Sequence, residues 1–467
     1  MKTVIRKELL DCFQSIQFIV LLIISIILFS ANGLIFSAKY SRQQNWYDQK
    51  TADTWDDPST VSLPLYKQPS LLLFLAEGGD KFSPPGYQLH QKGFLSPVPA
   101  SSQNFKLPDL PELDWAFIIK IIFSLYAILL GYRAVSGEKE LGTLRLALSN
   151  PISRAGLLGA KYVAIVLALI IPLATGMLIS LAISGFKVPH VLNTELVLRI
   201  ILTFISAFIY LSVFAFLSLA LSSLIHQSSL VLLVLLALWV LFVVMVPNTS
   251  GILAERFSET PGEYQTAKMV SSQAIRKLMG EKLRPIIDKA RKGEFETEAE
   301  LYRQTDAAFD QLQEELTKLY TVYDNAISRR QMLARNISRL SPTTLLQYAS
   351  ENIAGTGLAS EQRFLDDIMA YSSVYDNYVL KKVGKLVGVT NWSFAASSEF
   401  KGKRIILRSP RPEEYQGDKS DFPRFSPSRP SVKQSLHYAL LDISGLVLWN
   451  LVLAMAAFAA FSRSDVR

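Results

Sequence analysis

The chain has 467 residues, half of them hydrophobic, with a mean hydropathy of +0.25 and 19% charged residues. That is too apolar for an ordinary soluble protein and too charged for a bare bundle of membrane helices, so a membrane protein with sizeable water-exposed parts is expected. The net charge of +8 is read as membrane topology, because no basic segment is interleaved with stacking aromatics and no nucleic-acid partner is expected. Cys12 is the only cysteine, which excludes an intramolecular disulfide.

Residues 1–15 read as an interfacial helix. Ile5, Leu9, Cys12 and Phe13 share a face, while Lys2, Arg6, Lys7 and Asp11 lie largely elsewhere. Six apolar stretches follow, at 16–37, 114–133, 160–184, 199–223, 229–247 and 438–461. Each has the roughly 20 residues that cross a bilayer. The first is read as a retained span, since no signal-peptide cleavage pattern follows it. The third contains Pro172 and Gly176, which membrane helices tolerate and which could kink it. The fold class is therefore mainly α: a polytopic membrane protein with an interfacial helix and large loops.

Lysines and arginines cluster before span 1, in segment 134–159 and in the tail 462–467, so the positive-inside rule places both termini in the cytoplasm. Two long segments are then expected outside. Residues 38–113 are rich in Pro, Gly and Asp and are expected to have little regular structure. Residues 248–437 are long enough for a domain. Leu312, Leu316, Leu319 and Tyr323 recur at helical spacing there, with a break expected near Lys292 and Gly293. Helix should continue to about residue 385, followed by a Pro- and Ser-rich strap over 409–431.

Segment 134–159 carries the strongest local pattern. Leu141, Leu144 and Leu148 recur at i, i+3 and i+7, one apolar stripe of a helix over about 138–149 that faces either a partner's groove or the body of the protein. Pro151 should stop this helix near Ser149, and Ser153 should cap the next. Gly142 costs about 1 kcal/mol against alanine in a helix, which suggests a close packing contact. Glu138, Lys139 and Glu140 have two readings: a solvated helix start, where acids suit the dipole, or a polar contact with a partner.

The run S-G-E-K-E-L-G-T-L at 136–144, with S-N-P-I-S-R at 149–154 and then Leu157-Leu158-Gly159-Ala160-Lys161, resembles the cytoplasmic loop of ABC type-2 transporter permeases. Further signals agree with the branch that carries a large outer insertion before the last span. They are Lys67-Gln68-Pro69-Ser70-Leu71 with Glu77-Gly78, Ser341-Pro342, and Ala354-Gly355-Thr356-Gly357. The C-terminus, F-S-R-S-D-V-R, resembles the family's ending with Ser464 where tyrosine is usual. The resemblance implies a multi-pass subunit of a bacterial inner-membrane exporter, paired with a second permease copy or a related one among membrane lipids. A separate ABC ATPase subunit would bind ATP and Mg. Coupling to it would fall to Glu138, Lys139, Glu140, Leu141, Gly142, Thr143, Leu144 and Leu148. The cargo could be lipid-like, peptide-like or a small amphipathic compound. The alternative is a subunit that transmits ATP-driven motion to a periplasmic or surface partner without moving cargo.

The chain carries no phosphate-cradling G-x-x-x-x-G-K-[ST] run. Gly156, Gly159 and Lys161 have the wrong spacing and open a membrane helix. His90, His190, His226 and His437 are scattered, so no metal site is expected, and no nucleophile–base motif points to catalysis. Three polar residues fall inside spans: Lys120, Asn450 and Asp442. Lys120 and Asn450 both lie about 20 Å above the cytoplasmic edge by the helical rise. Lys120 could bond Asn450, meet Asp442, or reach the outer interface beside Trp115.

Overall fold

The computed structural model describes residues 2–81, 84–93, 95–98, 113–144, 153–187, 194–257, 279–384, 386, 395–400, 403–408 and 414–463. Six of its helical stretches are long and apolar enough to cross a membrane: Ile16–Asp56 (span 1), Trp115–Glu140 (its part up to Gly131 is called span 2), Arg154–Phe186 (span 3), Thr194–Leu224 (span 4), Ser228–Phe257 (span 5) and Val432–Arg463 (span 6). Each contains one of the apolar stretches read from the sequence, except that Asp114 of the second caps its helix from outside. The N-terminal helix, Lys2–Phe13, packs on span 3, and Arg154 at the start of span 3 donates to the Ser462 carbonyl of span 6 at 2.6 Å. The N-terminal helix, the segment after span 2 and the end of span 6 therefore share one end of the bundle, called here the loop end.

Span 1 runs far past its apolar stretch. Residues 38–56 contain neither Pro nor Gly, and the helix stops only at Asp57, whose position before Pro58 disfavours α geometry. The expectation of little regular structure over 38–113 is corrected further on. Strands β1 (Ser62–Tyr66), β2 (Gly86–His90) and β3 (Leu95–Pro97) form an antiparallel sheet in that order. Its prolines, Pro64 and Pro97, sit on the two edge strands, where a missing N–H is tolerated. Leu63, Leu65 and Leu89 are buried against Phe364, Ile368 and Tyr375 of the outer helix Leu358–Val383.

In the second long segment, helix Arg284–Arg291 ends just before Gly293 and a 41-residue helix, Glu298–Ser338, follows, so the break falls where expected. Thr297 caps the longer helix by accepting from the Glu300 N–H at 3.3 Å. The side chains of Leu312, Leu316, Leu319 and Tyr323 lie outside the described residues, as do residues 409–413 of the expected strap.

A short helix, Pro342–Ala354, gives the S-P and A-G-T signals a physical meaning. Ser341 caps it, Pro342 supplies its first turn, and it ends at Gly355. It is buried on nearly every face because it is wedged between spans 4 and 6. The Ser341 hydroxyl also donates to the Phe242 carbonyl, inside a π-helical turn of span 5 over Val240–Met245. Span 2 has a matching π turn at Ile119–Phe123, where the Lys120 carbonyl accepts from the Tyr210 hydroxyl at 3.0 Å. Such turns release carbonyls from the regular ladder, and a low-dielectric interior demands new partners for them.

Asn32 of span 1 ties four segments together. Its amide donates to the Leu113 carbonyl at 2.5 Å and the Phe74 carbonyl at 3.4 Å. Its oxygen accepts from the Trp115 indole at 3.1 Å and from Ser180 of span 3 at 2.7 Å. One turn nearer the loop end, spans 1 and 3 press together at Gly176, where an added Cβ would lie 2.4 Å from the Phe29 ring. Replacing Asn32 by Leu should orphan several buried polar groups at about 1–3 kcal/mol each. Thermal unfolding in detergent should show a clear loss of stability; an unchanged midpoint would remove Asn32 from this role.

Glu351 on the wedge helix yields a pH dependence. Burial raises its carboxyl to about 7; the Gln347 amide, Arg335 and Lys120 act in the opposite direction, and Asp114 adds to the rise. The folded value lies above the unfolded one, so this contribution to stability is full below about pH 4.5 and is lost as pH rises through 7. The midpoint of thermal unfolding should fall between pH 5 and pH 8, and Glu351→Gln should flatten that fall.

Candidate functional site

The loop end is assembled from polar side chains that each brace a helix terminus. After span 2 leaves Gly131, the chain turns and forms the short helix Ser136–Glu140. The Ser222 hydroxyl accepts from the Val135 and Ser136 N–H groups at 3.0 and 2.9 Å, fixing the turn against span 4. The Ser136 hydroxyl lies 3.0 Å from that of Ser228 at the start of span 5.

The triplet Glu138-Lys139-Glu140 then reaches in three directions. Glu138 accepts from the Lys161 ammonium of span 3 at 2.6 Å. Lys139 donates to the Ser223 carbonyl in the last turn of span 4, where a cation also suits the helix dipole. Glu140 accepts from the Ser228 N–H at 2.7 Å and its hydroxyl at 2.8 Å. It thereby caps span 5, whose own N-cap position, Gln227, offers no side-chain bond. Of the two readings of this triplet, the structure gives the charges an internal task that neither reading described: they bind the spans to one another.

Lys161 is the centre of the arrangement. It is only 2% exposed, and its ammonium also pairs with Glu8 of the N-terminal helix at 3.0 Å. A lysine so buried requires paired charge, and two carboxylates from separate elements supply it. Nearby Cys12 has its thiol pushed up to about 11, mainly by burial and also by Glu8 and Asp11, so it stays protonated at neutral pH.

The apolar stripe is corrected. Leu144 is buried at 3% exposure, but Leu141 is 72% exposed, so the two do not share a face. The reason is Gly142, which adopts φ +69 and ends the helix. Nothing in this chain's described residues lies within 4 Å of an added Cβ there, so within the chain the glycine serves backbone conformation. Thr143 is exposed and its hydroxyl bonds back to the Glu138 carbonyl at 3.4 Å. Leu148 and Pro151 lie outside the described residues. Ser153 does cap span 3, accepting from the Gly156 N–H at 3.1 Å.

The intramembrane polar residues do not meet one another. Lys120 donates to Gln347 on the wedge helix at 2.9 Å, not to Asn450 or Asp442. Asn450 instead donates to the Ile209 carbonyl of span 4 at 2.8 Å. Asp442, fully buried, pairs with Arg339 just past the long outer helix at 2.7 Å. A partner from the wedge helix was not anticipated because that helix is too short and mixed to be recognised as an element buried between spans.

The polar braces, the six spans and the wedge helix belong to a chain whose residues 2–466 match a family model described as ABC-2 family transporter protein. The chain belongs to that family. It is a multi-pass membrane component of an ABC transporter, a permease; membership implies an ABC ATPase partner and typically a dimeric arrangement. No curated protein matches the chain. Among the described residues, no cluster of His, Cys, Asp and Glu has the geometry to hold a metal ion.

The braces can be tested by charge removal. Lys161→Met should destabilise the permease on the order of 3 kcal/mol, because two partly buried carboxylates lose their common cation. Adding Glu8→Gln and Glu138→Gln should recover much of that loss in thermal unfolding. If the triple variant is no more stable than Lys161→Met, the ion triad is not what holds the loop end together.

Proposed function

We propose that this permease works as an exporter subunit that converts ATP hydrolysis on a separate ATPase subunit into movement of an amphipathic cargo. In this reading the loop end faces the cytoplasm of a bacterial inner membrane, both termini lie there, and two permease copies pair. The cation-rich short segments support that orientation. The observation that carries the reading is the Lys161 triad with the Glu138-Lys139-Glu140 braces. A push on this end meets the N-terminal helix and spans 2, 3, 4 and 5 through direct bonds rather than through a loose connector. Leu141 and Leu224, both exposed at the loop end, supply the apolar contact that the ATPase would grip. ATP and its Mg ion sit on the partner. Closure of the ATPases then tilts the braced helices as a body, as in other rigid-body switches.

A second reading has its own support. The outer helix Glu298–Ser338 is joined to span 6 through Arg339 and the buried Asp442, and Ser338 lies 2.9 Å from Tyr348 of the wedge helix. These bonds suit a subunit that transmits motion to a partner outside the membrane without moving cargo.

Leu141→Asp separates docking from folding, since its side chain is exposed and Gly142 already ends the helix. The variant should unfold at the wild-type temperature but fail to retain the ATPase in co-purification and lose stimulated ATP hydrolysis. Retention and hydrolysis at wild-type levels would move the docking surface elsewhere.

A further inference from the structure

The far end of the bundle holds a cleft of 170 Å³ that the exporter reading leaves unused. It is smaller than the roughly 300–1,000 Å³ that encloses a drug-sized ligand, so it fits a headgroup-sized ion. Two proline-stiffened segments form its rims: Lys67-Gln68-Pro69-Ser70 before the first outer loop's apolar turn, and Pro427-Ser428-Arg429-Pro430 leading into span 6. Its walls include the apolar Leu72, Leu196 and Phe364.

The charges are unbalanced. Lys67, Arg199 and Arg429 line the cleft, against Glu195 as its one acidic lining residue. Lys67 is paired with Glu361 at 2.8 Å. Arg199 is different. It sits in the second turn of span 4, only 7% exposed, and its guanidinium donates to three neutral acceptors: the Ile353 carbonyl at 2.6 Å, the Ser435 hydroxyl at 2.9 Å and the Pro430 carbonyl at 2.5 Å. Glu195, one turn earlier, is exposed and acts on it through space, but makes no ion pair with it among the described residues. Across the opening, Arg429 is exposed and makes no ion pair among the described residues. Asp367, the other carboxylate near this rim, is bonded to the Ser428 N–H and hydroxyl at 2.8 Å each. A buried guanidinium whose hydrogen-bond partners are all neutral, with only an exposed carboxylate acting on it through space, is costly, and a bound anion offsets that cost.

We infer that this cleft binds a phosphate-type anion between Arg199 and Arg429. The chemistry is shared by an anionic lipid headgroup and by a free phosphate. The lipid is the natural source at this place, because exposed Leu198 and Ile201 continue along span 4 from the cleft and give an acyl chain an apolar track. The site does not depend on which of the two functional readings holds.

Arg429→Glu is the decisive variant, since Arg429 makes no hydrogen bond or ion pair among the described residues; Arg429→Lys keeps the charge. Purified full-length permease is titrated with short-chain phosphatidylglycerol, short-chain phosphatidylcholine and inorganic phosphate, reading bound ligand by native mass spectrometry and the thermal midpoint. Phosphatidylglycerol should bind and stabilise, and phosphatidylcholine should not. Arg429→Glu should weaken phosphatidylglycerol about tenfold, the order of one charge-assisted contact, while Arg429→Lys stays near wild type. Stabilisation by inorganic phosphate as well would mark a site that also takes the free anion; no effect of phosphate would mark one that needs the lipid. Equal binding of the two lipids, or an unchanged affinity in Arg429→Glu, overturns the inference.

Discussion

A single ammonium group organises the loop end. Lys161 is buried on span 3, and its charge is held between Glu8 from the N-terminal helix and Glu138 from the short helix after span 2. Neither carboxylate's element would be fixed by hydrophobic burial alone. No described side chain of the N-terminal helix is fully buried, and the short helix has five residues. An ion pair is a poor source of net stability but a good source of registry, because breaking one partner leaves charge stranded in low dielectric. The neighbouring braces from Lys139 and Glu140 extend the same logic to spans 4 and 5.

The far end is built on a different principle. There the chain satisfies backbone groups that π turns and loop entries release inside the bundle. Asn32, Tyr210 and Ser341 each bond such a group. The wedge helix supplies several of these partners and joins the outer helices to spans 4 and 6. The two ends thus differ in emphasis: a buried ammonium shared by two carboxylates at one, and amide and hydroxyl bonds to released backbone groups, beside the Arg339–Asp442 pair, at the other. On the proposed reading, rigid spans connect a place where force enters to a place where the outer segments are anchored.

The six spans were legible because about 20 apolar residues in a row have few other uses. The helix break before Glu298 and the Ser153 cap were legible from local chemistry. The wedge helix was not, since thirteen residues with mixed polarity read as a soluble turn of helix until neighbours surround them. The sheet over 62–97 was hidden by its prolines, which lie on edge strands and so do not break it. At the loop, the residues were recognisable but their roles were not. The spacing of Leu141, Leu144 and Leu148 suggested one continuous helix, whereas the left-handed backbone of Gly142 ends the helix and leaves Leu141 exposed. No periodicity argument could show that Glu138 would find Lys161, since that contact depends on how spans 2 and 3 pack.

The central claim is that the N-terminal helix and the post-span-2 helix are locked into one body with span 3. It is tested most directly by spin-label distances in the full complex with its ATPase. Labels at exposed Leu10 and Leu141 report the two helices, and a label at exposed Leu253 of span 5 reports the far end. Between nucleotide-free and ATP-bound states, the account predicts an unchanged distance between positions 10 and 141 while both shift relative to position 253. A change between 10 and 141 with no shift relative to 253 would contradict it.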